Sequence, residues 1–317
     1  MKVLVLGKGL MLANIVLGLK DAGADIVGVF RYEQTCMSPL KLFIKDTFNP
    51  SKELTLIRQM NLPQIKMKSA NSEEFKRFLI SNNVDLVIVG TWKERLKKEI
   101  FSVPTIGTVN VHPSLLPKYR GPNPYMQVIL YGEKESGVTL HLVDENYDTG
   151  AILAQKKVEI LPDDTSKELR ERTVVAARAL VADFIIGLND NITMPIAQSE
   201  RLASYFPNIS GDERMLDFAA QSSDEIFRTV KALHPFLPCY ITYRGKFFVV
   251  NPYKVEVLGL VQANAGEVIA KDSKTRSLTI VCKDRKSVKF DGVKLYRMGF
   301  LTGYYIEKFI SLSRGQA

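Results

Sequence analysis

Between residues 3 and 89 the chain alternates short apolar, β-branched runs with segments of helical period, a pattern that calls for βαβ units laid into a parallel sheet. Val3 to Leu6, Asp25 to Phe30 and Asp85 to Val89 read as strands. Leu10 to Ala22 and Ser72 to Asn82 read as the helices between them, the second opened by Ser72 with Glu73 and Glu74 in its first turn. The fold class expected is α/β, with a doubly wound parallel, Rossmann-like sheet that takes ligands at the carboxyl ends of its strands. The first turn, Gly7-Lys8-Gly9, has Leu12 where a dinucleotide fingerprint needs its third glycine, and no clear acidic partner follows the second strand. A plain tight turn is therefore expected, and NAD is not.

At 317 residues the chain is roughly twice the commonest domain size, so two domains are expected. A helix over residues 166–188 closes the first domain, and turn formers including Asn189, Pro195, Pro207 and Gly211 follow it. The boundaries expected are a catalytic domain over 1–188, a linker over 189–205 and a second domain over 206–317. In the last, one helix at about Ser222 to Leu233 precedes short β-like runs at Tyr240 to Tyr243, Phe247 to Val250, Glu267 to Ala270, Leu278 to Cys282 and Val288 to Phe290. Such runs suggest a smaller β-barrel or sandwich. Of the net charge of +9, the second domain carries the larger share, with 17 Lys and Arg against 11 Asp and Glu. A mild basic surplus is ordinarily a solvated surface, although it also raises the local concentration of a polyanion such as RNA.

The chemistry concentrates in Gly107-Thr108-Val109-Asn110-Val111-His112-Pro113-Ser114-Leu115-Leu116-Pro117-Lys118-Tyr119-Arg120-Gly121-Pro122-Asn123-Pro124. An apolar strand ends at an amide and an imidazole two residues apart, on one face, and a loop stiffened by four prolines begins. Downstream, Gly137-Val138-Thr139-Leu140-His141-Leu142-Val143 leads into the acidic turn Asp144-Glu145-Asn146-Tyr147-Asp148-Thr149-Gly150. Asp148 in such a turn can reach back to an imidazole, raise its pKa and fix its tautomer. Asn110 cannot ionise and suits hydrogen bonding to a developing oxyanion.

These two motifs, Asn110-x-His112-Pro113-Ser114-Leu115-Leu116-Pro117-x-x-Arg120-Gly121 and then Gly137-Val138-Thr139 with Asp148-Thr149-Gly150, resemble the signature of the 10-formyltetrahydrofolate-dependent formyltransferases. The resemblance implies acyl transfer without a covalent enzyme intermediate, with Asn110, His112 and Asp148 as the catalytic triad. It implies a folate co-substrate held by Val87, Val89, Gly90, Thr91, Ser114, Leu115, Leu116, Pro117, Thr139 and Asp144, and an amine acceptor near Lys118, Arg120 and Gly121. The linker and β-rich second domain, opened by Ala219-x-x-x-x-Asp224-Glu225-Ile226-x-Arg228-x-Val230-x-Ala232-x-x-Pro235, are similar to the two-domain branch that acts on methionyl-tRNA. Two features depart from that branch. Arg31-Tyr32-Glu33-Gln34-Thr35-Cys36-Met37-Ser38 stands where it carries a glycine-rich basic loop, and Gly7-Lys8-Gly9 replaces its Gly-Thr-Pro turn. A nucleotide-linked amino sugar or other small amine, or water in a hydrolysis of 10-formyltetrahydrofolate, stand as the alternative acceptors.

Other chemistries fit less well. His112, Ser114 and Asp148 have the residue types of a serine hydrolase, but no G-x-S-x-G elbow exists. His112, His141 and Asp144 lack an established metal-ligand spacing, so no metal is expected, and His141 and His234 read as packing or surface residues. The three cysteines, Cys36, Cys239 and Cys282, form no C-x-x-C pair, which suits a reducing cytoplasm. The opening residues run straight into a strand pattern, so no export signal is expected, and no apolar run reaches the roughly 18 residues of a membrane span.

Overall fold

The computed structural model of the chain describes residues 1–189, 194–209 and 212–295. Residues 190–193 of the expected linker, and residues 210, 211 and 296–317 of the expected second domain, lie outside the described residues. The chain divides into two compact units. The first comprises Met1–Tyr125, Lys134–Leu161 and Glu168–Pro207, and the second Met126–Glu133, Pro162–Lys167 and the described residues from Asn208 onward.

The first unit opens with β1 (Lys2–Gly7), α1 (Gly9–Asp21) and β2 (Asp25–Arg31), close to the bounds their periodicity sets. Three helices then intervene that the apolar pattern did not announce: α2 (Glu33–Cys36), α3 (Pro39–Phe48) and α4 (Lys52–Gln59). Local start signals build α3, since Pro39 stands in its first turn and the Ser38 hydroxyl accepts from the Lys41 amide. No α3 residue is buried, so burial periodicity carries no trace of it. Next come α5 (Glu73–Ser81), capped by Ser72 as expected, then β3 (Leu86–Gly90), α6 (Lys98–Phe101), β4 (Gly107–His112) and α7 (Pro124–Leu130), which from Met126 onward belongs to the second unit. The antiparallel pair β5 (Glu135–Leu142) and β6 (Ile152–Glu159) and the long α8 (Ser166–Asn189) complete the unit's elements.

The sheet runs β2-β1-β3-β4-β5-β6, parallel through its first four strands and antiparallel over the last two. Alternate residues of each strand enter two separate apolar layers, as a sheet covered on both faces requires. Val3, Val5, Ile88, Val109 and Val111 pack with Ile15 and Leu19 of α1 and Val181 and Phe184 of α8. Leu4, Leu6, Val87 and Val89 pack with Phe30 and with Phe75 and Leu79 of α5. Each such side chain, taken fully out of water, contributes about 1.5–3 kcal/mol. That double layer holds the carboxyl ends of β3 and β4 in fixed register, Val89 opposite Asn110.

In the second unit α9 (Ser223–Leu233) begins with a reciprocal cap between Ser222 and Glu225. Two antiparallel sheets follow. One has the order β10-β11-β12-β9 and the other β13-β8-β7, from β7 (Tyr240–Tyr243), β8 (Lys246–Val249), β9 (Val255–Leu260), β10 (Val268–Asp272), β11 (Ser277–Val281), β12 (Lys286–Phe290) and β13 (Lys294–Leu295). Ile226, Val230, Ile241, Ile280, Val288 and Phe290 form its core. Cys239 and Cys282 are buried there as free thiols, and burial pushes both up to about 12, which keeps them protonated. Among the described residues no helix is long and apolar enough to cross a membrane.

Candidate active site

β4 delivers Asn110 and His112 to the carboxyl edge of the sheet, and its antiparallel neighbour β5 sets His141 opposite Asn110 and Thr139 opposite His112. The turn after β5 returns Asp148 to the same point. It is closed by the Asp144 carboxylate, which accepts from the Thr149 hydroxyl at 2.7 Å and from the Asn146 amide at 3.0 Å. Asp148 itself has a left-handed backbone, with φ of 58°. Gly150 lets the turn press onto β5, because a Cβ there would lie 1.8 Å from the Leu142 carbonyl oxygen.

Three side chains and one backbone amide meet around the Asp148 carboxylate. Its Oδ1 lies 3.4 Å from His112 Nδ1, 3.4 Å from Asn110 Nδ2 and 3.7 Å from His141 Nε2. Its Oδ2 accepts the Gly121 amide at 3.0 Å. Burial alone would favour a neutral carboxyl, but the His112 charge and hydrogen bond and the Gly121 amide outweigh it and hold Asp148 far below the usual carboxylate range. Burial likewise opposes an imidazolium at His112, which is 4% exposed, yet the Asp148 charge and hydrogen bond and the Tyr119 carbonyl raise its pKa above the ordinary value. Geometry agrees, since Nδ1 faces a carboxylate and Nε2 faces the Tyr119 carbonyl oxygen at 2.9 Å. Both partners only accept, and the doubly protonated ring is the state that satisfies both.

His141, expected to be a packing residue, is a buried member of this cluster. Its Nδ1 lies 2.8 Å from the Leu142 carbonyl, so Nδ1 carries the proton and Nε2 is left to accept from Asn110 Nδ2 at 3.1 Å. That contact decides which way the Asn110 amide points.

The other expected site residues divide by role. Thr139 is fully buried, and its hydroxyl donates to the Ser114 carbonyl at 2.6 Å while accepting from the Leu116 amide at 3.2 Å and from Gln155 Nε2 at 2.9 Å. The Ser114 hydroxyl, also buried, donates to the Lys118 carbonyl at 2.8 Å. Ser114, Thr139 and Asp144 therefore build the loops of the site with the polar groups they were expected to offer a ligand. Val87 and Val89 belong to the apolar layer, Gly90 ends β3, and Thr91 is exposed just beyond it with φ of 59°. Leu115 and Pro117 are half-buried beside the site, Leu116 is buried, and Lys118 is exposed. Arg120, expected at the acceptor, is 7% exposed and turns its guanidinium to Gln198 and Glu200. Gly121 has φ of 111°, and a Cβ on it would lie 2.2 Å from the Phe206 carbonyl oxygen. Among the described residues no group of His, Cys, Asp and Glu is arranged to hold a metal ion.

A family model described as formyl transferase matches residues 1–185. The chain is 28% identical to the methionyl-tRNA formyltransferase of Enterococcus faecalis over 98% of this chain and 95% of that protein. The N-formyltransferase from Helicobacter canadensis, solved in complex with folinic acid and dTDP-3-aminofucose, superposes with a TM-score of 0.64 at 20% identity, covering 93% of this chain and all of that one, 100%. HypX from Aquifex aeolicus, solved in complex with tetrahydrofolic acid, superposes with a TM-score of 0.61 at 16% identity; 94% of this chain is covered, and it spans 44% of the HypX chain.

Proposed function

This chain belongs to the formyl transferase family, and from that premise we propose that it moves a formyl group from 10-formyltetrahydrofolate to the α-amino group of methionyl-tRNA. The observation that carries the transfer chemistry is the convergence of Asn110, a doubly hydrogen-bonded His112 and Asp148 at the carboxyl end of β4. The unprotonated amine attacks the formyl carbon, and negative charge develops on the formyl oxygen. For that oxygen the His112 Nε2–H turns from the Tyr119 carbonyl and an Asn110 Nδ2–H from Asp148 Oδ1, an interaction for which one donor is worth about 2.7–4 kcal/mol. As the bond to the folate nitrogen breaks, His112 and water carry the proton from the attacking amine to the leaving nitrogen. Asp148 holds the imidazole in its protonated state. Residues of this chain fit a flat, partly apolar donor: the half-buried Leu115 and Pro117 offer apolar surface, and Thr91 with Gly90 offers backbone at the strand end. Val87 and Val89 support that backbone from beneath, and Ser114, Leu116, Thr139 and Asp144 act by fixing the loops.

For the acceptor, the full-length likeness to a methionyl-tRNA formyltransferase and the 17-to-11 basic surplus after residue 205 favour RNA. Residues 1–188 then supply catalysis with the support of segment 189–205, which also links them to 206–317, the polyanion contact, with exposed Lys118 near a phosphate. One observation favours a second reading. The segment after β2 folds into α2 and α3, and Arg31 closes onto Asp46, where a glycine-rich basic loop would have met RNA; a nucleotide-linked amino sugar is the acceptor in that case. Donor consumption measured with no acceptor, charged initiator methionyl-tRNA and a panel of nucleotide-linked amino sugars separates the readings. The proposal expects turnover with the tRNA and a kcat/KM that falls steeply with salt. Turnover only with an amino sugar, or formate release without any acceptor, overturns it.

A further inference from the structure

Residues 198 to 206 lie along the proline-rich loop of the active site. The Arg120 amide donates to the Ser204 carbonyl at 2.9 Å, the Phe206 amide to the Arg120 carbonyl at 3.0 Å, and Tyr119 stacks on Phe206 with ring centroids 5.3 Å apart. At one end of this segment stands Gln198, half-buried, with its whole amide engaged. Its Nε2 donates to the carbonyl oxygens of Asp148 at 2.9 Å and Gly150 at 2.7 Å. Its Oε1 accepts from Arg120 Nη2 at 2.8 Å and Nε at 3.2 Å. The orientation is unambiguous, because a reversed amide would set N–H against guanidinium and oxygen against two carbonyls. Arg120 is in turn fixed by a two-pronged pair with Glu200, at 2.8 and 3.0 Å.

We propose that Gln198 is a positioning residue for the reaction: its amide clamps the Asp148 turn to Arg120 and thereby holds the Asp148 carboxylate on His112. The turn needs an external hold because Asp148 is a non-glycine residue in the left-handed region, with φ of 58°. Arg120 and Gln198 are 78 residues apart in sequence, so the clamp ties the Asp148 turn and the proline-rich loop to a segment distant from both in sequence. Arg120 thus acts through the turn, whatever it contributes to an acceptor.

The inference rests on the reading of Asp148 as the partner of a catalytic His112, and the experiment keeps the two apart. Gln198→Leu removes all four hydrogen bonds at similar volume. Gln198→Glu keeps acceptance from Arg120 but loses both donations to the turn. Lys157→Gln, at an exposed residue paired with Glu135 and outside the clamp, serves as the control. In the full-length enzyme both Gln198 variants are expected to lose about 10–100-fold in kcat, as for a small displacement of a catalytic group, with the donor KM unchanged. The basic limb of the kcat profile should move to lower pH, because His112 loses its carboxylate while His141 and the Tyr119 carbonyl stay in place. NMR titration of His112, one of three histidines, reads the same shift without turnover. A Gln198 variant with wild-type kcat and an unmoved His112 titration, or a loss confined to KM, overturns the proposal. If Asp148→Asn abolishes turnover while Gln198→Leu does not, the clamp alone is wrong; if Asp148→Asn is fully active, the reading of the site falls with it.

Discussion

Replacing Asp148 by Asn tests how the site keeps His112 charged. The substitution keeps the shape, and an asparagine oxygen can still accept the Gly121 amide that now lies 3.0 Å from Asp148 Oδ2. Its NH₂ then faces His112 Nδ1, which must become an acceptor, while Nε2 keeps its proton on the Tyr119 carbonyl. The ring is left neutral. The charge term lost follows from the 3.4 Å separation, about 5 kcal/mol at an effective dielectric near 20. With the imidazolium gone, kcat is expected to fall by ~10²–10⁴-fold, the range for a positioned acid–base group. Donor KM should change little, because the loops that hold the donor are built by Ser114 and Thr139. Stability follows with a definite sign. The raised His112 pKa contributes stability that is complete below about pH 6.5 and is lost as pH rises through the folded value. The depressed Asp148 pKa contributes stability that is complete above about pH 4 and is lost as pH falls through its folded value. The stability gap between wild type and Asp148→Asn should therefore peak between about pH 4 and 6.5. Steady-state turnover and denaturant unfolding across pH measure both effects. A variant within tenfold of wild-type kcat, or a gap that grows above pH 7, would refute the reasoning.

Asn110→Ala removes an oxyanion donor and should lower kcat by about 10²–10³-fold with donor binding retained, as read by steady-state kinetics and ligand titration. His141→Phe deletes the acceptor that orients the Asn110 amide; turnover is expected to drop about tenfold or more, and an unchanged kcat would show that Asn110 needs no such guide. Thr139→Val leaves the Leu116 amide and Gln155 without their common partner, a loss of about 1–3 kcal/mol in denaturant unfolding accompanied by a higher donor KM.

Asn110 and His112 were legible in the sequence because both lie on one strand at two-residue spacing, and a proline-rich loop follows at once. Asp148 was legible through its own short motif. His141 was not, although it sits two residues from Thr139 on the same face. Its place opposite Asn110 depends on the register of β5 against β4, a pairing between segments that are distant in sequence. The direction of β5 was hidden for a similar reason: a helix, α7, separates it from β4, as it would in a parallel crossover. Arg120 carried the charge expected of a substrate contact, but its partners stand 78 and 80 residues further along, in a segment whose composition reads as linker. Of the three helices after β2, α2 is only four residues long and α3 buries nothing, leaving Leu40 at 69% and Phe48 at 81% exposure, and burial periodicity is the signal on which helix reading depends.

The most direct test of the account follows the formyl carbon itself. With isotopically labelled 10-formyltetrahydrofolate, purified enzyme and charged initiator methionyl-tRNA, the label should appear on the methionine α-nitrogen, in wild type and not in His112→Ala. Label recovered as free formate, or transfer at an undiminished rate in His112→Ala, would contradict it.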